Sequence, residues 1–436
     1  MNTRAPRLPG FYHYVIIVVG TGGVLASVVG QTIGVSAFTD HLVEALGLAR
    51  TQLSMAYLLG TISSAAILNR AGRLYDRLGA RVMGTATAAL LGLTLIALSF
   101  LPAIVRTGSF AVAFPAITVG FFLLRFLGQG VMSLVSRAMV IKWFERNRGL
   151  ANAVLGSLVT LGFSSSPLLF STLIAGYGWT GAWRILGLVL ALPVAGIILL
   201  LFRDNPQAYG LLPDGGPGKR VRRPVAEAPP DVDFTLSQAQ RTLPFWVFTG
   251  LLTLSSLYFT GLTFHVVSVF AEAGLSASQA LGIFLPGSFL AVPLSFLAGW
   301  ASDRMELRFL GIALGAGMLL GIAAASLLST PLSVVLLILG MGINGGLFGI
   351  LVAVVWPRFF GLRHIGAITG TVAGFTVAGS ALGPYLFSLS LDLTGSYRAV
   401  GIVSAVATML LIALAPRARR PRSLPSVVAA DNLQER

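Results

Sequence analysis

Cysteine is absent from this 436-residue chain, which excludes disulfides and any thiolate metal site. Charge is scarce: 10% of the residues are Asp, Glu, Lys or Arg, against roughly a quarter in soluble proteins. Histidine is nearly missing too. The four copies, at positions 13, 41, 265 and 364, show no ligand spacing such as i, i+4, so neither a metal nor another cofactor is expected. There is no G-x-x-x-x-G-K-[ST] phosphate loop, which excludes ATP drive by this chain alone. No nucleophile–base pair is visible either, so no catalytic residue is assigned and an enzyme is not expected.

What the chain has instead is apolar length. Hydrophobic residues make up 55% of it and the mean hydropathy is +0.85, which marks an integral membrane protein. Crossing ~30 Å of hydrocarbon takes about 20 residues. Twelve runs meet that need: 13–38, 51–70, 80–101, 113–141, 149–176, 182–202, 244–271, 278–300, 308–329, 332–355, 365–390 and 397–415. The first run is far too long for the apolar region of a cleavable signal peptide. The expected fold is all-α, with twelve transmembrane helices in two pseudo-symmetric six-helix halves, 1–202 and 244–415. A linker (203–243) joins the halves and a tail (416–436) follows. The linker carries Pro213, Pro217, Pro224, Pro229 and Pro230 and the basic cluster Lys219, Arg220, Arg222 and Arg223. It reads as mostly flexible, with a short capped amphipathic helix expected near its end, over 233–240.

The net charge of +15 could suggest nucleic acid, but the basic residues are confined to segments between apolar runs. Placing the N-terminus in the cytoplasm puts 24 of the 30 basic residues on that side. Only Arg50, Arg106, Arg184 and Arg398 stay outside, and Arg125 and Arg137 lie within a span. By the positive-inside rule both termini and the linker are cytoplasmic and no nucleic-acid partner is expected. The lipid bilayer is the partner this composition requires.

One signature occurs twice. Gly72-Arg73-Leu74-Tyr75-Asp76-Arg77 with Arg81 recurs as Gly299-Trp300-Ala301-Ser302-Asp303-Arg304 with Arg308, each between two apolar runs. A charged hairpin repeated once per half points to a carrier that rocks one half against the other. Glycine fits that use: Gly23, Ser27, Gly30 and Gly34 on span one, Gly342, Gly345, Gly346 and Gly349 on span ten, and Gly366, Gly370, Gly374 and Ala378 on span eleven form small faces that let helices approach closely. Pro286, Pro293 and Pro384 are expected kink points.

Arg125 lies near the middle of span four, where a charge costs at least ~2.5–3.5 kcal/mol unless it meets water or a partner. All fifteen acids sit in loops, at span ends or in tails, so no intramembrane carboxylate can neutralise it. Its guanidinium is left to amides, hydroxyls, carbonyls, water or an anionic substrate, and a purely structural arginine bonded to a neighbouring backbone is the alternative. Gln129 at i+4 and Ser133 at i+8 are expected to share its helix face. The other polar residues well inside spans are Gln31, His265 and Asn344, each a candidate substrate contact or an interhelical hydrogen bond. An imidazole inside a span is also a candidate proton carrier.

With these residues in place, the chain resembles the major facilitator superfamily over its whole length. The Gly72–Arg81 block looks like that family's loop signature between spans two and three, and Arg125-Phe126-Leu127-Gly128-Gln129-Gly130 looks like its fourth-span motif. Finer features resemble the oxalate/formate antiporter and monocarboxylate porter branch. They are Lys142-Trp143-Phe144 with Arg146-Asn147-Arg148-Gly149-Leu150-Ala151, Thr235 to Trp246, and Arg358-Phe359-Phe360-Gly361 with His364 and Gly366. The resemblance implies that Gly72, Asp76, Arg77 and Arg81, with Asp303 and Arg304 as counterparts, gate the cytoplasmic side. It also implies substrate contacts on spans one, four, seven and ten, where Gln31, Arg125, Gln129, His265 and Asn344 lie. The branch's usual carboxylate-gripping cations would fall at Ser295 and near Ala378, both uncharged here, so dicarboxylate exchange of the oxalate type is not implied.

The expected function is secondary active transport of a small organic solute by alternating access, with a carboxylate or other weak organic anion as partner and possible proton or counter-solute coupling. A carrier of a neutral polar solute, a polyspecific exporter and a non-transporting membrane receptor are the alternatives. The chain is expected to act as a monomer in the cell inner membrane.

Overall fold

The computed structural model describes residues 8–105, 110–144, 147–215, 233–361 and 364–421. The linker cluster Lys219, Arg220, Arg222 and Arg223, the outer-loop Arg106 and Arg146 lie outside the described residues. All regular elements among the described residues are helical. Eleven helical segments are long and apolar enough to cross a bilayer. One of them, Leu150–Leu201, has 52 residues, a contour of about 78 Å at 1.5 Å per residue. It reverses at Gly178 (φ 68°, ψ 164°), backbone space open to glycine alone. That segment therefore makes two crossings, and the total is twelve.

The chain divides into two compact units. The first comprises Met1–Val221 with Thr263–Ser268 and Ser276–Gly282; the second comprises Arg222–Leu262, Val269–Leu275 and Ile283–Arg436. In the first unit, a core cluster gathers Tyr12, Ile16, Trp143, Phe144, Leu155 and Phe202 at one end of the spans. In the second, Phe234, Phe245, Phe248, Trp356, Phe359 and Phe360 do the same. The Lys142-Trp143-Phe144 and Arg358-Phe359-Phe360 motifs are thus helix ends whose aromatic rings are core and whose cations stay at the rim.

Both ends of the linker are built into these cores. Trp143 Nε1 donates to the Arg203 carbonyl at 2.7 Å, and the Tyr12 hydroxyl donates to the Leu201 carbonyl at 2.8 Å. On the other side, Leu236–Gln240 forms the expected capped helix: the Thr235 hydroxyl accepts from the Gln238 N–H, and the Gln238 side chain accepts from the Thr235 N–H. The Phe234 N–H donates to the Phe360 carbonyl at 2.9 Å.

Three departures from the regular helices that the apolar runs predict lie in spans one, seven and four; two more are a π-helical stretch at Leu190–Val194 in span six and a break at Ile283 in span eight. Span one is a helix only over Tyr12–Ala26. A 3₁₀ turn follows at Ser27–Gly30, then an extended Gln31 (φ −86°, ψ 154°) and a short helix Thr32–Ser36. Span seven is interrupted at His265, between Leu243–Phe264 and Val266–Glu272. Span four contains a π-helical stretch, Leu124–Met132, between Phe110–Leu123 and Ser133–Trp143. The first and third departures face each other. A Cβ on Gly30 would sit 2.1 Å from the Leu124 carbonyl oxygen, and one on Gly128 would sit 2.8 Å from the Gly30 Cα. Two backbones this close leave no room for side chains.

The small-residue face expected on span eleven is displaced by a few residues. Cβ atoms at Gly370 and Gly374 would meet nothing within 4 Å, whereas Gly379 and Gly383 press on the Thr253 and Leu257 carbonyls of span seven, at 2.7 and 2.1 Å from an added Cβ. Pro293 and Pro384 lie inside helices that continue through them.

Candidate substrate site and charged loop ends

Where span one breaks, its backbone carbonyls lose their helical partners. Arg125 fills that gap. Its side chain is only 2% exposed, and one terminal nitrogen donates to the Gly30 carbonyl at 3.2 Å and to the Thr32 hydroxyl at 3.5 Å. The guanidinium carbon lies 5.1 Å from the centre of the Tyr57 ring, a favourable cation–π position. The Tyr57 hydroxyl is in turn bonded to the Thr32 hydroxyl at 2.6 Å. No carboxylate pairs with Arg125 among the described residues, and its Nε has no hydrogen-bond partner there. A buried, unneutralised cation with a free N–H is costly, so the site has unused capacity for an anion or a polar acceptor.

Span four is π-helical around this arginine, over Leu124–Met132. Arg125 and Gln129 both lie on this stretch and Ser133 follows it directly. Gln129 is half-buried and makes no hydrogen bond among the described residues. Ser133 instead meets span one: its hydroxyl lies 3.1 Å from that of Ser27, and the Gln31 amide reaches Ser27 and Ser133 at 3.2 and 3.4 Å. The result is two neighbouring clusters, Arg125 with Gly30, Thr32 and Tyr57, and Gln31 with Ser27 and Ser133.

His265 is buried and within the first unit, with Nε2 3.3 Å from the Ser54 hydroxyl of span two. Asn344 belongs to the second unit, where its side-chain carbonyl accepts from the buried Ser255 hydroxyl of span seven at 2.8 Å. Its amide nitrogen is buried with no partner among the described residues. Thr32, Tyr57, Ser54 and Ser255 were not among the residues that the sequence singles out. The adjacent polar pair Gln31-Thr32 after Gly30 was the available signal for the first of them; the other three are isolated hydroxyls in apolar runs.

The two charged hairpins differ in how their acids are held. In the second unit Asp303 pairs with Arg358, which also donates to the Ser302 carbonyl. Arg304 lies over the Trp300 ring at 4.4 Å. In the first unit Asp76 and Arg77 are exposed and make no hydrogen bond or ion pair among the described residues. Arg81 donates to the Leu199 carbonyl at 2.6 Å, and an added Cβ on Gly72 would meet nothing within 4 Å.

The span-four cation Lys142 is taken by a different acid, Asp204, at the start of the linker. Lys142 Nζ lies 2.9 and 3.1 Å from the two Asp204 oxygens, and the Ala80 N–H donates to the same carboxylate at 3.2 Å. Ala80 opens span three just past Gly79, whose φ of 75° makes the turn. Asp204 therefore caps a helix N-terminus, where a negative charge is favoured, and ties it to the end of span four. Sequence reasoning passed over it because it follows Arg203, where the flexible stretch was expected to begin.

Comparison with known proteins agrees with this architecture. No curated protein matches the chain in sequence. Among solved structures, it is similar to the crystal structure of a bacterial homologue of the human lysosomal transporter Spinster, in an inward-facing and occupied conformation. The identity is 15%, the TM-score is 0.68, and the match covers 94% of this chain and 96% of that one; at that identity the likeness shows the fold. The sequence profile of the Major Facilitator Superfamily matches residues 19–384. Twelve spans, the twice-repeated charged hairpin and that match over most of the chain lead to one conclusion: this chain belongs to the Major Facilitator Superfamily and is a multi-pass membrane transporter rather than an enzyme.

Proposed function

We propose that the transported solute is a small organic anion, with a carboxylate as the leading class, and that Arg125 is its main positive contact. The observation that carries this reading is the buried guanidinium that has neither a carboxylate partner nor an acceptor for its Nε–H among the described residues, at the junction of a broken span and a π-helical one. Sites with such discontinuities hold substrates in other carriers because unwound backbone exposes polar groups inside the bilayer. Gln31 supplies an amide beside the site, and Asn344 with Ser255 supplies a second polar cluster. His265 at Ser54 is the candidate proton carrier.

The remaining assignments are part of the same proposal. The basic asymmetry supports cytoplasmic termini, an inner-membrane location and the division at the linker. Asp76, Arg77, Asp303 and Arg304 gate the cytoplasmic side, and the chain works as a monomer by alternating access.

A melting screen of the purified protein tests the substrate class, since a ligand at 100 times its Kd stabilises by ~2.7 kcal/mol. Small carboxylates should raise the melting temperature, and the amides or alcohols of the same carbon skeletons should not. Stabilisation by neutral polar solutes alone would transfer the site to the neutral-solute reading, with Arg125 a structural bond to Gly30.

A further inference from the structure

Four span ends of the second unit meet at one rim: Ala277–Ser302, Leu307–Ser326, Pro331–Phe360 and Arg398–Arg417. Between them lies a pocket of about 340 Å³, lined by Arg304, Arg308, Arg358, Arg419 and Arg420 and by the acids Asp303 and Glu306. That volume is within the ~300–1,000 Å³ range of small-ligand sites. Five guanidiniums against two carboxylates leave an excess of three positive charges. The acids are already committed, Asp303 to Arg358 and Glu306 to Arg308. Arg304, Arg419 and Arg420 have no carboxylate partner among the described residues.

The flank of the pocket is apolar. Met305 is in the pocket's lining, and the exposed rings of Trp300 (58% exposed) and Phe309 lie under the guanidiniums of Arg304 and Arg308. An exposed tryptophan at the end of a membrane span marks the depth of the lipid headgroups. A cationic pocket at that depth, with exposed apolar rings against two of its arginines, matches a molecule that is anionic at one end and apolar at the other. Clustered arginines at a bilayer surface attract anionic lipid, and guanidinium forks fit phosphate oxygens in pairs.

We propose that this pocket binds the phosphate headgroup of an anionic phospholipid, with Arg304, Arg419 and Arg420 as the phosphate ligands and Trp300 and Phe309 against the acyl chains. The site is separate from the Arg125 cluster and does not depend on what the carrier transports.

The test uses full-length protein in neutral detergent, incubated with equal amounts of phosphatidylglycerol and phosphatidylcholine, with retained lipids counted by native mass spectrometry. The wild type should retain phosphatidylglycerol by about tenfold over phosphatidylcholine. Arg419→Gln with Arg420→Gln should bring the two lipids close to parity at an unchanged melting temperature, because neither side chain holds an ion pair. Arg73→Gln, which removes an exposed charge from the other unit, should leave the preference intact. Equal retention by the wild type, or a preference that survives in the Arg419/Arg420 double variant, would overturn the proposal. Displacement of phosphatidylglycerol by millimolar inorganic phosphate would overturn the lipid assignment and give the pocket to a soluble anion.

Discussion

Replacing Asp204 separates two things that its carboxylate does at once. It pairs with Lys142 and it accepts the Ala80 N–H at the start of span three. The pair is partly exposed, with 33% of the Lys142 side chain and 25% of the Asp204 side chain accessible. An exposed ion pair contributes ~0.2–1 kcal/mol. Partial burial and the Tyr75 ring 4.4 Å from Lys142 Nζ place this one near the top of that range, about 1 kcal/mol. An amide N–H stripped of its acceptor costs about 1 kcal/mol more. Asp204→Asn keeps an acceptor for Ala80 and loses the charge, so it should cost about 1 kcal/mol. Asp204→Ala loses both and should cost about 2 kcal/mol. For a unit of this size each kcal/mol moves the melting temperature by roughly 2–4 °C, which a fluorescence melt in detergent resolves. A double-mutant cycle with Lys142→Met should return a coupling of about 1 kcal/mol between the two residues. Melting of Asp204→Ala together with wild type, or a coupling of zero, would refute the reasoning and reduce the pair to an incidental surface contact.

Further outcomes follow from the same structure. Gly30→Ala forces a methyl to 2.1 Å from the Leu124 carbonyl and should lose roughly 1–3 kcal/mol or more in a melting assay, whereas Gly374→Ala, with open space around it, should melt like wild type. Asp76→Asn should leave expression unchanged and abolish transport through weakened closure; full transport with unchanged labelling of the cytoplasmic entrance would make the hairpin a topological marker only. Cysteines placed singly at Ala208 and Ser329, on an otherwise cysteine-free chain, should react with an impermeant thiol reagent from opposite sides of the membrane. Labelling of Ala208→Cys from outside intact cells would invert the proposed orientation.

Much of this molecule was legible before its structure. Span number follows from apolar length, because a bilayer imposes the same ~30 Å on each crossing, and even the double span Leu150–Leu201 shows its turn as a glycine. Arg125 stood out because a charge in hydrocarbon is expensive whatever surrounds it. The breaks in spans one and seven were not legible. Hydropathy averages over a window and does not register a backbone that leaves the helix for one residue at Gln31 or His265. The π-helical stretch in span four is equally silent in composition. On span eleven an i+4 ladder pointed to Gly370 and Gly374, but the neighbouring helix presses at Gly379 and Gly383, and one sequence of small residues cannot tell which of its faces is covered. Asp204 was hidden for another reason: its partners Lys142 and Ala80 are far from it in sequence, and its own neighbours look like loop.

The central claim is that Arg125 binds the charge of an anionic solute. Its most direct test is the affinity of the purified protein for the carboxylate found in the screen, compared with that of Arg125→Gln by titration calorimetry. Folding of the variant is verified first by its melting temperature and its elution as a single species. A buried charge-assisted bond contributes roughly 1.5–3 kcal/mol, so the variant should bind the anion about ten- to a hundredfold more weakly and a neutral analogue as before. Arg125→Lys, which keeps the charge without the planar fork, should fall between the two. If Arg125→Gln folds normally and binds the anion as tightly as wild type, the anion reading is contradicted.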